Sequence, residues 1–333
     1  MPWDIVGHSK AVAGLKNAAT TGRVGHAHLF AGPEHIGKAR LALLFAKALL
    51  CLEQKAGVPC DSCAGCRAVT AGAHNDLYLL TPSGASIGIA QVRAMQASLS
   101  LRPVLGQYKV CIVDDADLLT EQAQNAMLKI MEEPPAYGVL LLVVHRLSAL
   151  LPTIISRSQV WRLHPVETQA AVAYLMQARA LTREQAELLA AVSEGRIGIA
   201  LGIDPQSLLA KREMVADWCR ELCTGGLPAA LRMATALDKE ESLLEWLDLL
   251  ALWLRDIWHV QIDENAPITN IDMKDRLLTE AAAWKGRTTA ALTAVLEARR
   301  RLLQNANRRL TLDMMCINMQ KGVDYDTGRR SPF

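Results

Sequence analysis

No uncharged apolar run in these 333 residues approaches the roughly 20 that a membrane-crossing helix needs, which excludes a chain held in a bilayer by a helical span. The opening Met1-Pro-Trp-Asp-Ile-Val-Gly-His-Ser-Lys10 also lacks the apolar stretch of a secretory signal, so the expectation is a cytoplasmic chain without a membrane partner. A polybasic tract is missing too, and the formal net charge is only +2. Autonomous, charge-driven DNA binding is therefore not expected, and any nucleic-acid contact would be shared with partners. The small basic clusters Arg299-Arg300-Arg301, Arg308-Arg309 and Arg329-Arg330 read as solvated helix faces and a frayed tail. Internal repeats and low-complexity tracts are absent as well, which removes stacked-repeat architectures.

What is present is a chain 51% hydrophobic, long enough for two or three domains with real cores. Four of its eight cysteines, Cys51, Cys60, Cys63 and Cys66, form a C-x8-C-x2-C-x2-C cluster. A Cys-x2-Cys turn brings two thiolates onto one ion, and the second Cys-x2-Cys step with Cys51 completes the tetrahedral S4 set that Zn2+ prefers. Four sulfurs leave no open position, so such a metal is structural. Reduced unliganded thiols and a disulfide pair are the alternatives. Against the first, the Pro/Asp/Ser/Gly-rich stretch around Cys60 to Cys66 is expected to bury them poorly; against the second stands a reducing compartment. Cys111, Cys219, Cys223 and Cys316 sit singly or on apolar stretches, as reduced core thiols do.

Thirteen residues before Cys51 stands the lysine of Gly32-Pro-Glu-His-Ile-Gly37-Lys38-Ala39. A phosphate loop works by turning backbone N–H groups onto phosphates at a helix start, with a lysine on the terminal phosphates and Ser/Thr on Mg2+. Gly32, Gly37 and Lys38 have that spacing, but Ala39 occupies the hydroxyl position; a plain glycine turn before a helix is the alternative. The apolar strand Val110 to Val113 delivers Asp114 and Asp115 to its C-terminal end, where such a fold places acidic groups, although an Asp-capped helix start would look similar.

The first half alternates strands and helices: strands at His28–Ala31, Leu77–Leu80, Val110–Val113 and Val139–Val144, and helices over Lys38–Leu52, Gln91–Leu101 and from about Glu121 to the stop at Pro134-Pro135. Repeated strand then helix predicts a parallel sheet covered on both faces. Leu41, Leu44, Phe45, Ala48 and Leu52 form one helix face. Beyond about Pro165 strand signals disappear. Residues 166 to 203 read as a small helical unit, Asp204-Pro205 as a linker, and helical segments follow, including the stripe Leu243, Trp246, Leu250, Trp253 and Ile257, which reads as packing core or subunit contact.

The string from Val110 through Asp114-Asp115 to Glu132-Glu-Pro-Pro135, the stretch Leu150 to Ser156-Arg157-Ser158, the cysteine insert after the first phosphate-loop helix, and Asn305-Ala-Asn307-Arg-Arg-Leu310 together resemble the bacterial DNA polymerase III clamp-loader subunits of the AAA+ class. The likeness runs over nearly the whole chain. It implies an α/β plus all-α protein: a RecA-like AAA+ domain over 1–165 with a zinc module at 51–66, a helical lid over 166–208, and a C-terminal helical collar over 209–333. Such collars assemble a five-subunit ring, with Asn305 and Asn307 at the collar interface.

The family's ATPase, gamma/tau, carries a hydroxyl where Ala39 stands, normally a glutamate at Asp115, and a lid arginine where Ile199 stands; Val144 and His145 lie where a short hydroxylic residue is expected. Gly32, Gly37, Lys38, Asp114 and Asp115 then form a degenerate nucleotide site. Whether ATP or ADP still docks there is open, since phosphate cradling and Mg2+ ligation are separable. Ser156-Arg157-Ser158 resembles a Ser-Arg-Cys motif whose arginine reaches a neighbour's nucleotide, although an ordinary surface arginine is the alternative. Donation without hydrolysis resembles the delta-prime branch, implying gamma/tau and delta subunits as partners and the sliding clamp and primed DNA as partners through the complex. Two competing readings are an active gamma/tau-type ATPase, against which Phe333 following the collar without a tail also counts, and an unrelated zinc-containing P-loop DNA-repair protein.

Overall fold

The structure is a computed structural model that describes residues 3–321; the Arg329-Arg330 cluster lies outside the described residues. Its contacts divide the chain into two units, Met1–Ala170 with Gly195–Gly198, and Ala171–Glu194 with Ile199–Phe333.

The first unit is built on five parallel strands: β1 (Ala27–Ala31), β2 (Leu77–Leu80), β3 (Lys109–Val113), β4 (Gly138–Val144) and β5 (Gln159–Arg162), in the order β2-β3-β4-β1-β5. Every residue of β1, β3 and β4 is buried, His28 and Lys109 included, as largely apolar strands between two helical layers must be. Side-chain alternation splits them between two cores. Phe30, Ile112, Leu141 and Val143 pack with residues of α1 (Ser9–Thr21) and α2 (Lys38–Leu49). Leu29, Cys111, Val113, Leu140 and Leu142 pack on the other face with α4 (Ile89–Ser100), α5 (Glu121–Glu132) and α6 (Pro152–Ser156), α3 (Ala64–Thr70) belonging to the cysteine module.

α5 begins where Thr120 caps the Ala123 amide and ends at Glu133, before the two prolines. α2 stops at Leu49, so Leu52, expected on its buried face, is 49% exposed. Strand β5 was not apparent in the sequence: Gln159-Val-Trp-Arg162 is an edge strand with both end residues exposed and no residue fully buried, paired with β1 among the described residues.

The second unit is helical, with no strand among the described residues: α7 (Thr168–Arg179) and α9 (Ile197–Gly202), whose first residues fall in the first unit, and α8 (Arg183–Val192), α10 (Pro205–Thr224), α11 (Gly226–Asp238), α12 (Leu243–Ile262), α13 (Lys274–Ala283), α14 (Thr288–Leu303) and α15 (Arg308–Lys321). Asp204-Pro205, expected as a linker, instead starts α10. Asp204 caps the Ser207 amide at 2.8 Å and Pro205 takes the first helical position, where its missing N–H costs nothing. The stripe Leu243, Trp246, Leu250, Trp253 and Ile257 is buried core on α12, which packs on α10, α13 and α14. Arg299 pairs with Asp248, and Arg300 and Arg301 with Glu297, the ion pairs of partly solvated helix faces. No helix among the described residues is long and apolar enough to cross a membrane.

Candidate functional site

The cysteine module begins directly after α2. Cys51 follows the last turn, a bridge between Lys55 and Val58 reverses the chain, and Cys63 caps α3 so that Cys66 lands one turn along it. All four sulfurs lie within 4.8 Å of one another, with 3.9 Å between Cys51 and Cys63 and 4.0 Å between Cys60 and Cys66. Tetrahedral Zn–S bonds of about 2.3 Å place sulfurs about 3.8 Å apart, whereas a disulfide needs about 2.05 Å. The cluster is thus positioned to coordinate a structural metal ion, and its donor set fits Zn2+.

Backbone amides of Cys60, Cys63 and Cys66 donate to the sulfurs of Cys51, Cys60 and Cys63 at 3.2–3.3 Å, contacts that favour thiolates. The Ser62 hydroxyl, followed by the Cys63 and Ser62 amides, brings the Cys60 thiol down to about 6, while burial pushes Cys66 up. A dication resolves that conflict, since it neutralises charge that burial alone would forbid. Contrary to the sequence expectation, this loop does bury thiols: Cys51, Cys63 and Cys66 are inside, packed on one another. Gly65 permits it, because a Cβ there would sit 2.4 Å from the Leu50 carbonyl oxygen.

At the other end of α2, Gly32 to Gly37 connect β1 to the helix. A Cβ on Gly32 would meet the Leu163 carbonyl oxygen at 2.3 Å, and Gly37 starts the helix with φ 95° and no side-chain cap. Ala39 lies exposed in the first turn and offers no oxygen to a cation.

Strand order determines what faces this loop. β4 lies between β1 and β3, so His145, the residue after β4, enters the gap between Lys38 and the acidic end of β3. Val144 is buried in the sheet, which makes His145 the residue at the site. Lys38 Nζ donates to the Pro33 carbonyl oxygen at 2.5 Å and lies 2.9 Å from His145 Nδ1; His145 Nε2 lies 2.7 Å from Asp115 Oδ1. Asp117 accepts the His145 amide, and Asp114 accepts that of Asp115, which stands at φ 51°. Burial lowers the Lys38 pKa against the pull of Glu34, Asp117, Asp114 and Asp115, and burial followed by Asp115 raises that of Asp114. A cavity of about 410 Å³ beside them is lined by Glu34, Asp115, Asp117, His145 and Arg146 among others.

Within the first unit, the Gly195 carbonyl accepts the Val166 amide at 3.0 Å and the Gly198 amide donates to the His35 carbonyl at 2.8 Å. Ile199 follows, half-buried in α9. Arg157 ends α6 and is not part of the Lys38 cluster. It lies at the surface, donating to the Thr153 carbonyl at 3.2 Å and pairing with Glu132 at 3.0 Å. Ser158 spends its hydroxyl on the Ile154 carbonyl. Asn305 and Asn307 are exposed in the turn between α14 and α15, Asn305 at φ 60° and Asn307 accepting the Leu310 amide at 3.0 Å. No role for Glu132 or Asp117 was legible in the sequence, and His145 stood out there only through the resemblance, at a position where a short hydroxylic residue is expected, with no contact assigned to it.

A parallel sheet with a phosphate-type loop after β1, acidic residues after β3, an extensive helical C-terminal region and a cysteine cluster suited to a structural metal defines an AAA+-like protein. The family described as DNA polymerase III, delta subunit, matches residues 7–167. DNA polymerase III subunit delta' of Bacillus subtilis (strain 168) is 30% identical over 314 residues, covering 92% of this chain and 94% of that protein. The Escherichia coli (strain K12) subunit delta' is 31% identical over 327 residues, covering 96% and 95%. Subunit tau of B. subtilis is 30% identical over 257 residues, 73% of this chain and 46% of tau. The chain belongs to the delta'/gamma/tau family of bacterial DNA polymerase III clamp-loader subunits.

Proposed function

We propose that this chain is the delta-prime component of a clamp loader: a cytoplasmic, non-hydrolysing ring subunit that gives Arg157 to a neighbouring gamma/tau ATPase site while the complex, with delta, loads the sliding clamp onto primed DNA. The observation that carries this reading is the composition of its own site. The side chain after Lys38 has no oxygen, so the Mg2+ ligand of phosphoryl transfer is missing, while Arg157 stays at the surface. In this reading residues 166–208 serve as lid and 209–333 as collar, with the turn bearing Asn305 and Asn307 at the collar interface.

Phosphoryl transfer needs several parts at once, so their joint loss is not repaired one residue at a time. The isolated chain is expected to show no significant ATP hydrolysis, and Ala39→Thr alone is expected to add none, because Ile199, Asp115 and His145 remain. The check is steady-state phosphate release by purified wild type and variant. Turnover near the ~1–100 per second of competent phosphoryl-transfer enzymes would assign the chain to the ATPase branch instead. Reconstitution tests the role directly: omitting this chain from an otherwise complete loader is expected to lower DNA-stimulated ATP turnover and clamp loading together.

A further inference from the structure

The phosphate-loop lysine survives in this chain, and the structure gives it other work. Lys38 is 3% exposed. Two of its donors have named acceptors, the Pro33 carbonyl and His145 Nδ1. An ammonium can only donate, so Nδ1 must accept; the neutral imidazole then carries its proton on Nε2, which is the nitrogen 2.7 Å from Asp115 Oδ1. One tautomer satisfies both contacts. Lys38, His145 and Asp115 thus form a continuous donor chain from cation to anion across the ends of β1, β4 and β3.

We propose that His145 is a resident occupant of the nucleotide site, which holds Lys38 away from phosphate and makes the site refuse Mg-nucleotide, so that a single substitution at 145 restores binding. This rests on reading the Lys38 loop as a nucleotide-fold phosphate loop, but not on the role given to Arg157. To meet a terminal phosphate, Lys38 must leave both acceptors, and His145 Nδ1 then loses its donor. The incoming anion also faces Glu34, Asp114, Asp115 and Asp117, all of which act electrostatically on Lys38. Lys38, already engaged, and Arg146 on the cavity wall are two cations against those four carboxylates. The usual remedy, a dication held by the side chain after the lysine, is closed because that side chain is Ala39. A small hydroxylic residue at 145 would remove the acceptor from Lys38 and vacate the gap beside the 410 Å³ cavity.

The test is equilibrium titration of the full-length chain with Mg-ADP and with a non-hydrolysable Mg-ATP analogue. Wild type is expected to show no saturable binding tighter than about 1 mM. His145→Thr is expected to bind about ten- to a hundredfold more tightly, the size of effect associated with releasing a charged hydrogen-bond donor. Adding Lys38→Ala to that variant should abolish the gain. Retained metal content and an unchanged thermal transition establish that the variants are folded. Micromolar binding by wild type overturns the proposal, as does a folded His145→Thr chain without gain, or a gain that survives loss of Lys38. If His145→Thr does not fold, 15N spectra of histidine-labelled wild type decide the matter: His145 should be the neutral Nε2–H tautomer, with its Nδ1 resonance moved by Lys38→Ala. An Nδ1–H tautomer, or indifference to Lys38, overturns it. None of these outcomes bears on trans activation by Arg157, which is measured in the assembled loader.

Discussion

Cys66→Ser is expected to convert the 51–66 module from an ordered knuckle carrying about one zinc per chain into a loose, protease-sensitive loop. Metal binding in comparable modules supplies on the order of 10 kcal/mol of local folding free energy, more than a short loop can replace. Cys66 is the most demanding of the four positions to lose. It is fully buried at the start of α3, its amide donates to Cys63, and its sulfur faces Cys60 at 4.0 Å. Serine leaves a poorer ligand there and an opened coordination shell. Elemental analysis, thiol titration in the native state and limited proteolysis check this together. Wild type should hold its zinc and hide these thiols until a chelator is added. A zinc-free wild-type protein with four freely titrating thiols and the same protease pattern as the variant would falsify the metal assignment.

The effect should spread along one helix. α2 runs from Lys38 to Leu49, about 18 Å at 1.5 Å per residue, and so ties the phosphate-type loop to the knuckle. Lys47 on its last turn pairs with Asp61 at 2.5 Å, and Trp3 donates its indole N–H to the Gly57 carbonyl at 3.1 Å. The far end of α2 is therefore anchored through the module, while Leu41, Ala42, Phe45 and Ala46 anchor its flank on the sheet. Loss of metal is expected to fray the C-terminal end before it disturbs Lys38.

How far the sequence carried depended on how local each feature is. The strands Val110–Val113 and Val139–Val144 were legible because a parallel strand buried on both faces needs an unbroken apolar run. The stop at Pro134-Pro135 was legible because proline cannot continue a helix. β5 was not, since an edge strand with exposed Gln159 and Arg162 keeps only a weak pattern. Asp204-Pro205 carried two possible meanings, linker or helix start, and the Asp204 cap on the Ser207 amide with Pro205 in the first turn of α10 chose between them. The four thiols were legible from spacing, yet their burial was not, because it comes from their own convergence and from the Gly65 approach to Leu50. The contacts of His145 were the least accessible: its partners stand 107 and 30 residues away, and only the position of β4 between β1 and β3 brings them together.

Arg157→Ala is expected to leave the subunit folded and able to join a ring, and to slow hydrolysis only at the adjacent ATPase site. The side chain is partly exposed, and its contacts are a surface pair with Glu132 and one carbonyl of its own helix, so little stability rests on it. Its proposed value lies in a neighbour's transition state, where a fixed cation with a planar fork meets charge spreading over the transferred phosphoryl oxygens. Arginines acting in trans are worth ~10³-fold or more at their own site. Bulk turnover falls less, by severalfold, where the remaining sites keep their own arginines and fire independently. Arg157→Lys is expected to rescue poorly, because a point charge lacks the bidentate geometry. Glu132→Ala provides an internal contrast: it frees the guanidinium without removing it, so a far smaller loss than that of Arg157→Ala is expected. The measurement is DNA-dependent ATP hydrolysis and clamp loading by a reconstituted loader carrying each substitution in this chain alone, with assembly verified by size. Unchanged turnover and loading for Arg157→Ala in a fully assembled ring would return Arg157 to the status of an ordinary surface arginine.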